Sequence, residues 1–221
     1  MKIINIDLRH KVLSRNDEIA YLLRQKFNEY KILVINMVSS PGSGKTSIIE
    51  KTIERLHVND VIVIEGDIQT ENDAKRIESK GVIAIQITTG GACHLDANMI
   101  NQSLEEEDLI NKKLLIIENV GNLVCPSSYD LGEDFKVVTI STTEGDDKPL
   151  KYPGMFYNSK YLIINKIDLL PYVNFDIQQA RKNALKINPE IEIFETSCTT
   201  NQGIDNWINF LKLKMDEKRT V

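Results

Sequence analysis

The sequence lacks a disulfide framework, a membrane-spanning apolar run and a secretory signal. Its 221 residues include only three cysteines, an odd and widely spaced number that is a poor basis for a disulfide framework. No apolar run approaches the roughly 20 residues that a helix needs to cross a bilayer. The opening segment, 1–7, also lacks the long apolar run of a secretory signal. We therefore expect a cytoplasmic protein.

Positive charge is also in short supply. Lys and Arg together number 27 against 32 Asp and Glu, which gives a formal net charge of −5. This balance argues against general binding to nucleic acid or to an anionic membrane. Hydrophobic residues make up 42% of the chain and charged residues 27%, values that exclude a disordered or membrane-embedded class. The length predicts one large domain that can bury its own core.

Short runs rich in Ile and Val alternate with polar stretches along the chain. Such runs predict strands that are covered on both faces, as in a parallel sheet. They lie at 31–38, 60–64, 82–87, 113–117, 136–140, 161–164 and 191–194. Helices are predicted between them, at 47–56, 71–80, 96–106, 175–188 and 204–214. The alternation indicates a doubly wound α/β fold with a mostly parallel sheet and helices on both faces.

A further helix is predicted ahead of the first core strand. It covers 17–30, and Asn16 is its expected N-cap because an amide oxygen can accept from the first free backbone N–H groups. The sequence leaves open whether this helix packs on its own domain or on a partner.

The most informative segment reads SSPGSGKT and lies between a predicted strand and a predicted helix. The P-loop pattern is G-x-x-x-x-G-K-S/T. Ser39 replaces its first glycine, whereas Gly44, Lys45 and Thr46 match. The glycines let backbone N–H groups turn towards an anion, and the helix N-terminus adds a positive dipole. Lys45 is predicted to contact the β- and γ-phosphates, and Thr46 to hold Mg²⁺. The predicted phosphate contacts are Gly42, Ser43, Gly44, Lys45, Thr46 and Ser47.

A second motif predicts which nucleotide base the protein binds. Asn165-Lys166-Ile167-Asp168 follows the strand at 161–164, and N-K-x-D at the end of a strand is the guanine-reading motif of GTPases. The Asp168 carboxylate can accept from guanine N1–H and N2–H, a donor pair that adenine lacks. The segment at 195–198 follows the last predicted strand and is expected to cover the base. The predicted base contacts are Asn165, Lys166, Asp168, Ser197 and Cys198.

Carboxylates at the ends of predicted strands are candidates for hydrolysis and for holding Mg²⁺. Glu118 ends the strand at 113–117, where a Walker-B carboxylate belongs, and the backbone N–H of Gly121 is placed to sense the γ-phosphate. Asp67 and Asp73 follow the second strand, and a helix cap is the alternative role for each. Asn122 replaces the glutamine that would position water, so slow turnover is expected. Lys45, Asp67 and Glu118 are the predicted catalytic residues, and Thr46, Asp67, Asp73 and Glu118 the predicted Mg²⁺ ligands.

Cys93, His94 and Cys125 are candidate ligands for a softer metal. Thiolate and imidazole favour Zn²⁺ or Ni²⁺ over Mg²⁺, although adjacent Cys and His is not a standard zinc spacing. The residues alone leave open the alternative that buried cysteines only fill space. Cys125 lies four residues after Gly121, in the segment that is predicted to respond to the γ-phosphate. A bound metal and a bound nucleotide would therefore alter each other's affinity by the same factor. Two chains across a two-fold axis would double the number of ligands.

Together these segments resemble the HypB family of hydrogenase maturation GTPases. The resemblance rests on the segments 39–46, 65–67, 93–96, 118–123, 125–126, 144–148 and 165–168. It implies a P-loop GTPase of the SIMIBI class that dimerises when GTP and Mg²⁺ bind, with Cys93, His94 and Cys125 lining a nickel or zinc site at the dimer interface. The implied partners are a HypA-type metallochaperone, SlyD in some organisms and, indirectly, the hydrogenase large subunit.

The sequence therefore predicts a GTP-hydrolysing nickel metallochaperone for nickel–iron hydrogenase. It is expected to form a single G domain over 1–221, with 1–30 as an N-terminal helical extension and 31–221 as the P-loop GTPase core. Its expected cofactors are GTP or GDP, Mg²⁺, and Ni²⁺ or Zn²⁺. Two alternatives stay open, a UreG-like urease nickel chaperone and a nucleotide-gated scaffold whose cysteines bind no physiological metal.

Overall fold

The computed structural model describes residues 8–67 and 72–220. The helices are Leu8–Glu29 (α1), Lys45–Ile53 (α2), Asn72–Glu78 (α3), Ala97–Ser103 (α4), Glu106–Leu109 (α5), Lys148–Lys151 (α6), Pro153–Tyr157 (α7), Ile177–Ile187 (α8) and Ile204–Thr220 (α9). The strands are Leu33–Ser39 (β1), Val61–Asp67 (β2), Ile83–Thr88 (β3), Leu114–Glu118 (β4), Phe135–Ser141 (β5), Tyr161–Asn165 (β6) and Glu192–Glu195 (β7). Short 3₁₀ turns lie at Val58–Asp60, Cys125–Ser128 and Ile167–Tyr172.

Within the described residues the seven strands form one sheet. Its order is β3-β2-β4-β1-β5-β6-β7, and every neighbouring pair is parallel. The four central strands β4, β1, β5 and β6 are buried at every position. Strands covered on both faces read as continuous apolar runs, which is why these runs predicted the sheet correctly.

Helices cover both faces of the sheet, as the alternation predicted. On one face α2, α3 and α9 contribute to one core cluster. The cluster includes the fully buried Trp207, whose indole Nε1 donates to Thr52 Oγ1 at 3.1 Å. On the other face α1 and α4 pack on β2 and β4, and α7 and α8 pack on β5 and β6. The doubly wound fold is therefore confirmed. None of the helices in 8–67 and 72–220 is long and apolar enough to cross a membrane.

The N-terminal helix differs from its prediction and packs on its own chain. It begins at Leu8, so Asn16 lies inside α1 and is not its N-cap. Asn16 is buried, and its Oδ1 accepts from the backbone N–H of Ala97, the first residue of α4, at 2.9 Å. Its Nδ2 donates to the carbonyl oxygen of Asp130 at 2.8 Å. A long-range contact thus uses the amide that the local pattern assigned to a cap.

The helix predicted over 96–106 is interrupted. α4 ends at Ser103, and α5 begins again at Glu106. The Asp108 carboxylate accepts from the backbone N–H of Glu105 at 3.0 Å, which fixes a new helix start and ends the first helix. The alternative role of Asp67 and Asp73 was to cap a helix around 68–73. Part of that range, 68–71, lies outside the described residues.

Candidate nucleotide cleft and metal site

A cleft of about 570 Å³ opens at the carboxyl ends of β1, β2 and β4. Open parallel sheets bind their ligands at this edge. The cleft contains cations and carboxylates together, which suits a phosphate ligand accompanied by a divalent cation. Its lining includes Gly42, Gly44, Lys45, Thr46, Ser47, Glu65, Asp67, Asp73, Arg76, Glu118, Gly121 and Lys166.

The P-loop turn has the backbone that its glycine requires. Gly44 has φ of 96°, and a Cβ there would lie 2.5 Å from the Nδ2 of Asn165, so only glycine fits between the two loops. α2 begins at the next residue, Lys45, and its N-terminus faces the cleft. The Lys45 ammonium donates to Ser39 Oγ at 2.9 Å. The serine that replaces the first glycine of the pattern therefore holds the P-loop lysine.

Two buried glutamates face each other beside the P-loop. Glu65 of β2 and Glu118 of β4 are neighbours in the sheet register, and each is 3% exposed. Thr46 Oγ1 donates to Glu118 Oε1 at 2.9 Å, and Lys45 Nζ lies 3.8 Å from the same oxygen. The Oε2 atoms of Glu65 and Glu118 have no hydrogen-bond partner among the described residues. Burial, with the nearby Glu118 carboxylate adding to its effect, raises the pKa of Glu65 well above its usual range.

Unpartnered carboxylate oxygens beside a threonine hydroxyl fit Mg²⁺, which prefers oxygen ligands. Sequence reasoning assigned Glu118 to this site but missed Glu65. The signal was the Glu65-Gly66-Asp67 segment, but the pairing of Glu65 with Glu118 depends on β2 and β4 being adjacent in the sheet. The pattern of one strand does not contain that information.

The other two predicted carboxylates, Asp67 and Asp73, also line the cleft. Asp73 lies in the first turn of α3. Its carboxylate accepts from Arg76 at 2.9 Å, and Arg76 also donates to Glu50 of α2 at 2.6 Å. Arg76, a second residue that the sequence patterns did not identify, therefore joins α3 to the helix of the P-loop at the rim of the cleft.

The predicted guanine motif contacts the P-loop directly. Asn165 is buried, and its Nδ2 donates to the carbonyl oxygen of Ser43 at 3.0 Å. Lys166 Nζ donates to the carbonyl oxygen of Gly42 at 2.7 Å. The half-buried Asp168 carboxylate forms no hydrogen bond or ion pair within the described residues. Asn165 and Lys166 thus join the two loops, while Asp168 remains available as an acceptor.

The segment predicted to cover the base packs beside this motif. Ser197 is fully buried, and its backbone N–H donates to the carbonyl oxygen of Gln202 at 2.9 Å. The Cys198 thiol faces inward, 3.8 Å from Asn165 Oδ1, and burial raises its pKa to about 11. Asp168, Ser197 and Cys198 lie outside the residues that line the cleft. Their base contacts stay a prediction.

The segment at 144–148 also contacts the P-loop. Glu144 Oε1 accepts from Ser43 Oγ at 2.6 Å, and Lys148 Nζ donates to Ser40 Oγ at 2.9 Å. Lys148 also lies 3.0 Å from the Glu144 carboxylate. These contacts give a structural reason for a motif whose role the sequence did not reveal.

The three candidate ligands for a softer metal come together in space. Cys93 Sγ lies 2.7 Å from Cys125 Sγ and 3.6 Å from His94 Nδ1, and the three ligand atoms all lie within 4.8 Å of one another. All three side chains are partly exposed, so they do not simply fill the core. The cluster offers the thiol and imidazole donors that Ni²⁺ and Zn²⁺ accept.

Local contacts favour metal binding by His94 and oppose loss of the proton from Cys93. The His94 ring packs on Tyr129, with ring centroids 3.9 Å apart, and burial lowers the pKa of His94. This shift favours the neutral imidazole, which is the form that binds a metal ion. The adjacent Cys125 thiol, together with burial, raises the pKa of Cys93. Because the thiolate is the ligand, metal binding must displace that proton.

Comparison with known proteins gives consistent matches. A family model described as "CobW/HypB/UreG, nucleotide-binding domain" matches residues 33–195. The hydrogenase maturation factor HypB of Escherichia coli is 50% identical over 208 residues, which cover 94% of this chain and 72% of that protein. The hydrogenase/urease maturation factor HypB of Helicobacter pylori is 43% identical over 217 residues, or 96% of this chain and 89% of that protein.

Alignment with solved structures finds the same family. The crystal structure of Helicobacter pylori HypB in complex with nickel aligns with a TM-score of 0.87 and 43% identity, covering 92% of this chain and 96% of that chain. The GDP complex of the signal recognition particle 54 kDa protein of Aeropyrum pernix aligns with a TM-score of 0.56 at 14% identity, covering 91% of this chain and 54% of that chain. This second likeness concerns the fold alone. The family match and the extent of identity show that the chain belongs to the HypB branch of the CobW/HypB/UreG family.

Proposed function

We propose that this protein is a GTP-hydrolysing nickel metallochaperone that serves the maturation of nickel–iron hydrogenase. Relatives with 40–50% identity are named hydrogenase maturation factors, and the Helicobacter pylori structure is a nickel complex. The cleft and the Cys/His cluster supply this chain with residues suited to both ligands. In this proposal the protein works in the cytoplasm, where thiols stay reduced.

One observation carries the proposal. The switch segment, residues 118–125, begins with Glu118 in the cleft and ends with Cys125 in the metal cluster. Between them Gly121 packs so closely on the P-loop that a Cβ would lie 3.0 Å from the Pro41 ring. A change at the γ-phosphate position would therefore move backbone that also carries a metal ligand, which supports coupling between nucleotide and metal.

In this proposal the predicted site residues have defined tasks. Lys45 holds the β- and γ-phosphates, and Thr46 and Glu118 hold the Mg²⁺ site beside Glu65, with Asp67 and Asp73 closing it. Bound Mg²⁺ would neutralise charge on the phosphates. Lys45, Asp67 and Glu118 are the proposed catalytic residues. Asn165 and Lys166 hold the P-loop, while Asp168 reads guanine and the 195–198 segment covers it.

Metal delivery would need two chains and further partners. One chain offers Cys93, His94 and Cys125, and a GTP-dependent homodimer would bring two such sets together in a closed or adjustable site. The proposed partners are a HypA-type metallochaperone, SlyD in some organisms and, indirectly, the hydrogenase large subunit. We propose a single G domain in which 31–221 form the P-loop GTPase core. Of the helical extension predicted over 1–30, residues 1–7 lie outside the described residues.

The guanine-reading role of Asp168 is tested by Asp168→Asn. This change replaces one acceptor oxygen by an NH₂ donor, which opposes the guanine N1–H and N2–H donors. We expect the preference for GTP over ATP to fall by about tenfold or more, since an unsatisfied buried polar group costs about 1–3 kcal/mol. Competition binding of the two nucleotides measures the ratio. An unchanged ratio would remove Asp168 from base recognition.

A urease role is the second candidate, because the Helicobacter pylori and Helicobacter hepaticus relatives are named hydrogenase/urease maturation factors. Nickel content of both enzymes in a deletion strain separates the two roles, since the enzyme that this protein serves would lack nickel. The remaining alternative is a nucleotide-gated scaffold without a physiological metal. Metal analysis of untagged protein tests it.

A further inference from the structure

The metal loop, residues 93–96, is tied to the switch segment by an asparagine side chain. Asn122 Nδ2 donates to the carbonyl oxygen of Cys93 at 3.2 Å. Its Oδ1 accepts from the backbone N–H of Val124, the residue before Cys125, at 2.8 Å. One amide group thus contacts the backbone of Cys93 and the backbone of the residue that precedes Cys125.

A second asparagine makes a parallel link. Asn119 is 1% exposed, and its Oδ1 accepts from the backbone N–H of Leu95 at 3.1 Å and of Val120 at 3.0 Å. Its Nδ2 donates to Asn36 Oδ1 of β1 at 3.2 Å. The metal loop is therefore fastened to the residue that directly follows Glu118, and through it to the strand that leads into the P-loop.

These contacts indicate a different role for Asn122 from the one that its position in the sequence suggested. In the sequence it replaces the glutamine that would position the attacking water. In the fold its Nδ2 donates to Cys93 in the metal loop, and its Oδ1 accepts from Val124, the residue before Cys125. An amide that both donates and accepts transmits displacement of either backbone segment to the other, because moving one segment breaks a hydrogen bond to the other.

We propose that Asn119 and Asn122 are positioning residues that couple the nucleotide state to metal affinity by fixing Cys93 relative to Cys125. This inference rests on the proposed function and adds the side chains through which the coupling acts. Neither asparagine is a metal ligand in it. They set the spacing of the two thiols, and the switch segment alters that spacing when the γ-phosphate is present.

The test measures the ratio of Ni²⁺ affinities in the GDP state and in the state with a non-hydrolysable GTP analogue. Asn122→Ala removes both hydrogen bonds, and Asn122→Asp keeps the acceptor for Val124 but removes the donor to Cys93. Each variant should bring the ratio closer to one by about two- to tenfold, the range expected for one hydrogen bond. Asn119 is too deeply buried for a clean truncation, so it is left intact.

Ser127→Ala is the matched control. Its hydroxyl donates to the carbonyl oxygen of Val124 at 2.7 Å on the same loop. Within the described residues it forms no hydrogen bond with the metal loop, so this variant should keep the wild-type ratio. A wild-type ratio that persists in both Asn122 variants overturns this inference alone. If the Asn122 variants instead lower kcat by tenfold or more while the ratio of Ni²⁺ affinities stays unchanged, the inference is also wrong. That result would mean that Asn122 positions the attacking water. A wild-type ratio of one overturns the coupling itself, and with it the proposed function.

Discussion

Lys45→Ala should lower kcat/KM for GTP hydrolysis by about a hundredfold or more. Lys45 is 8% exposed, and its ammonium is held at the cleft by Ser39 while lying 3.8 Å from Glu118. Removing a preorganised cationic donor from a site where phosphate charge develops costs about 10²- to 10³-fold. Steady-state phosphate release, with nucleotide binding measured separately, gives the result.

The matched control is Lys51→Ala on the same helix. Lys51 pairs with Glu54 at the surface, 3.1 Å away, and lies outside the cleft. Its loss removes the same charge from α2 but should change kcat/KM by less than about twofold, since surface ion pairs contribute little. Thermal unfolding of both variants shows whether α2 remains folded. Full activity in a folded Lys45→Ala protein would refute the P-loop assignment.

Cys125→Ala is expected to weaken Ni²⁺ or Zn²⁺ binding by more than about a hundredfold. The thiol lies 2.7 Å from Cys93 Sγ and supplies one of the three clustered ligands. Loss of an outer-shell partner alone costs about 10- to 100-fold in metal affinity, so loss of a direct ligand should cost more. Competitive titration against a chelator of known affinity, without nucleotide, measures the change.

Cys198→Ala provides the control for thiol content. Its sulfur lies beside Asn165 and packs against the core formed by α2 and α9, away from the cluster. It should therefore leave metal affinity unchanged. Equal affinity in Cys125→Ala and in the wild-type protein would mean that the cluster is not the metal site, and would restore the view that these cysteines only fill space.

The sheet could be predicted because its strands are buried on both faces. β1 and β5 are buried at every position, so their apolar runs are continuous and stand out from the surrounding sequence. Helix boundaries were less accurate because they depend on distant partners. Asn16 lies inside α1, where its amide bonds Ala97 and Asp130, both far away in the chain.

Residues in local motifs could be identified, whereas residues defined by strand adjacency could not. The spacing of Gly44, Lys45 and Thr46 is a property of one turn and is visible in the sequence. The pairing of Glu65 with Glu118 exists only because β2 lies next to β4. Likewise, no spacing rule relates Cys93 to Cys125, which are brought together where the loops after β3 and β4 meet.

In the proposed function, the nucleotide and the metal share one moving segment of backbone, residues 118–125. Titration of the wild-type protein with Ni²⁺ in the apo, GDP and GTP-analogue states, each with Mg²⁺ and with molecular mass recorded alongside, tests it most directly. We expect Ni²⁺ affinities that differ by about 5- to 150-fold between nucleotide states, which is the usual range of coupling between two sites. We also expect the mass to double in the GTP-analogue state. Identical affinities and an unchanged mass in all three states would contradict it.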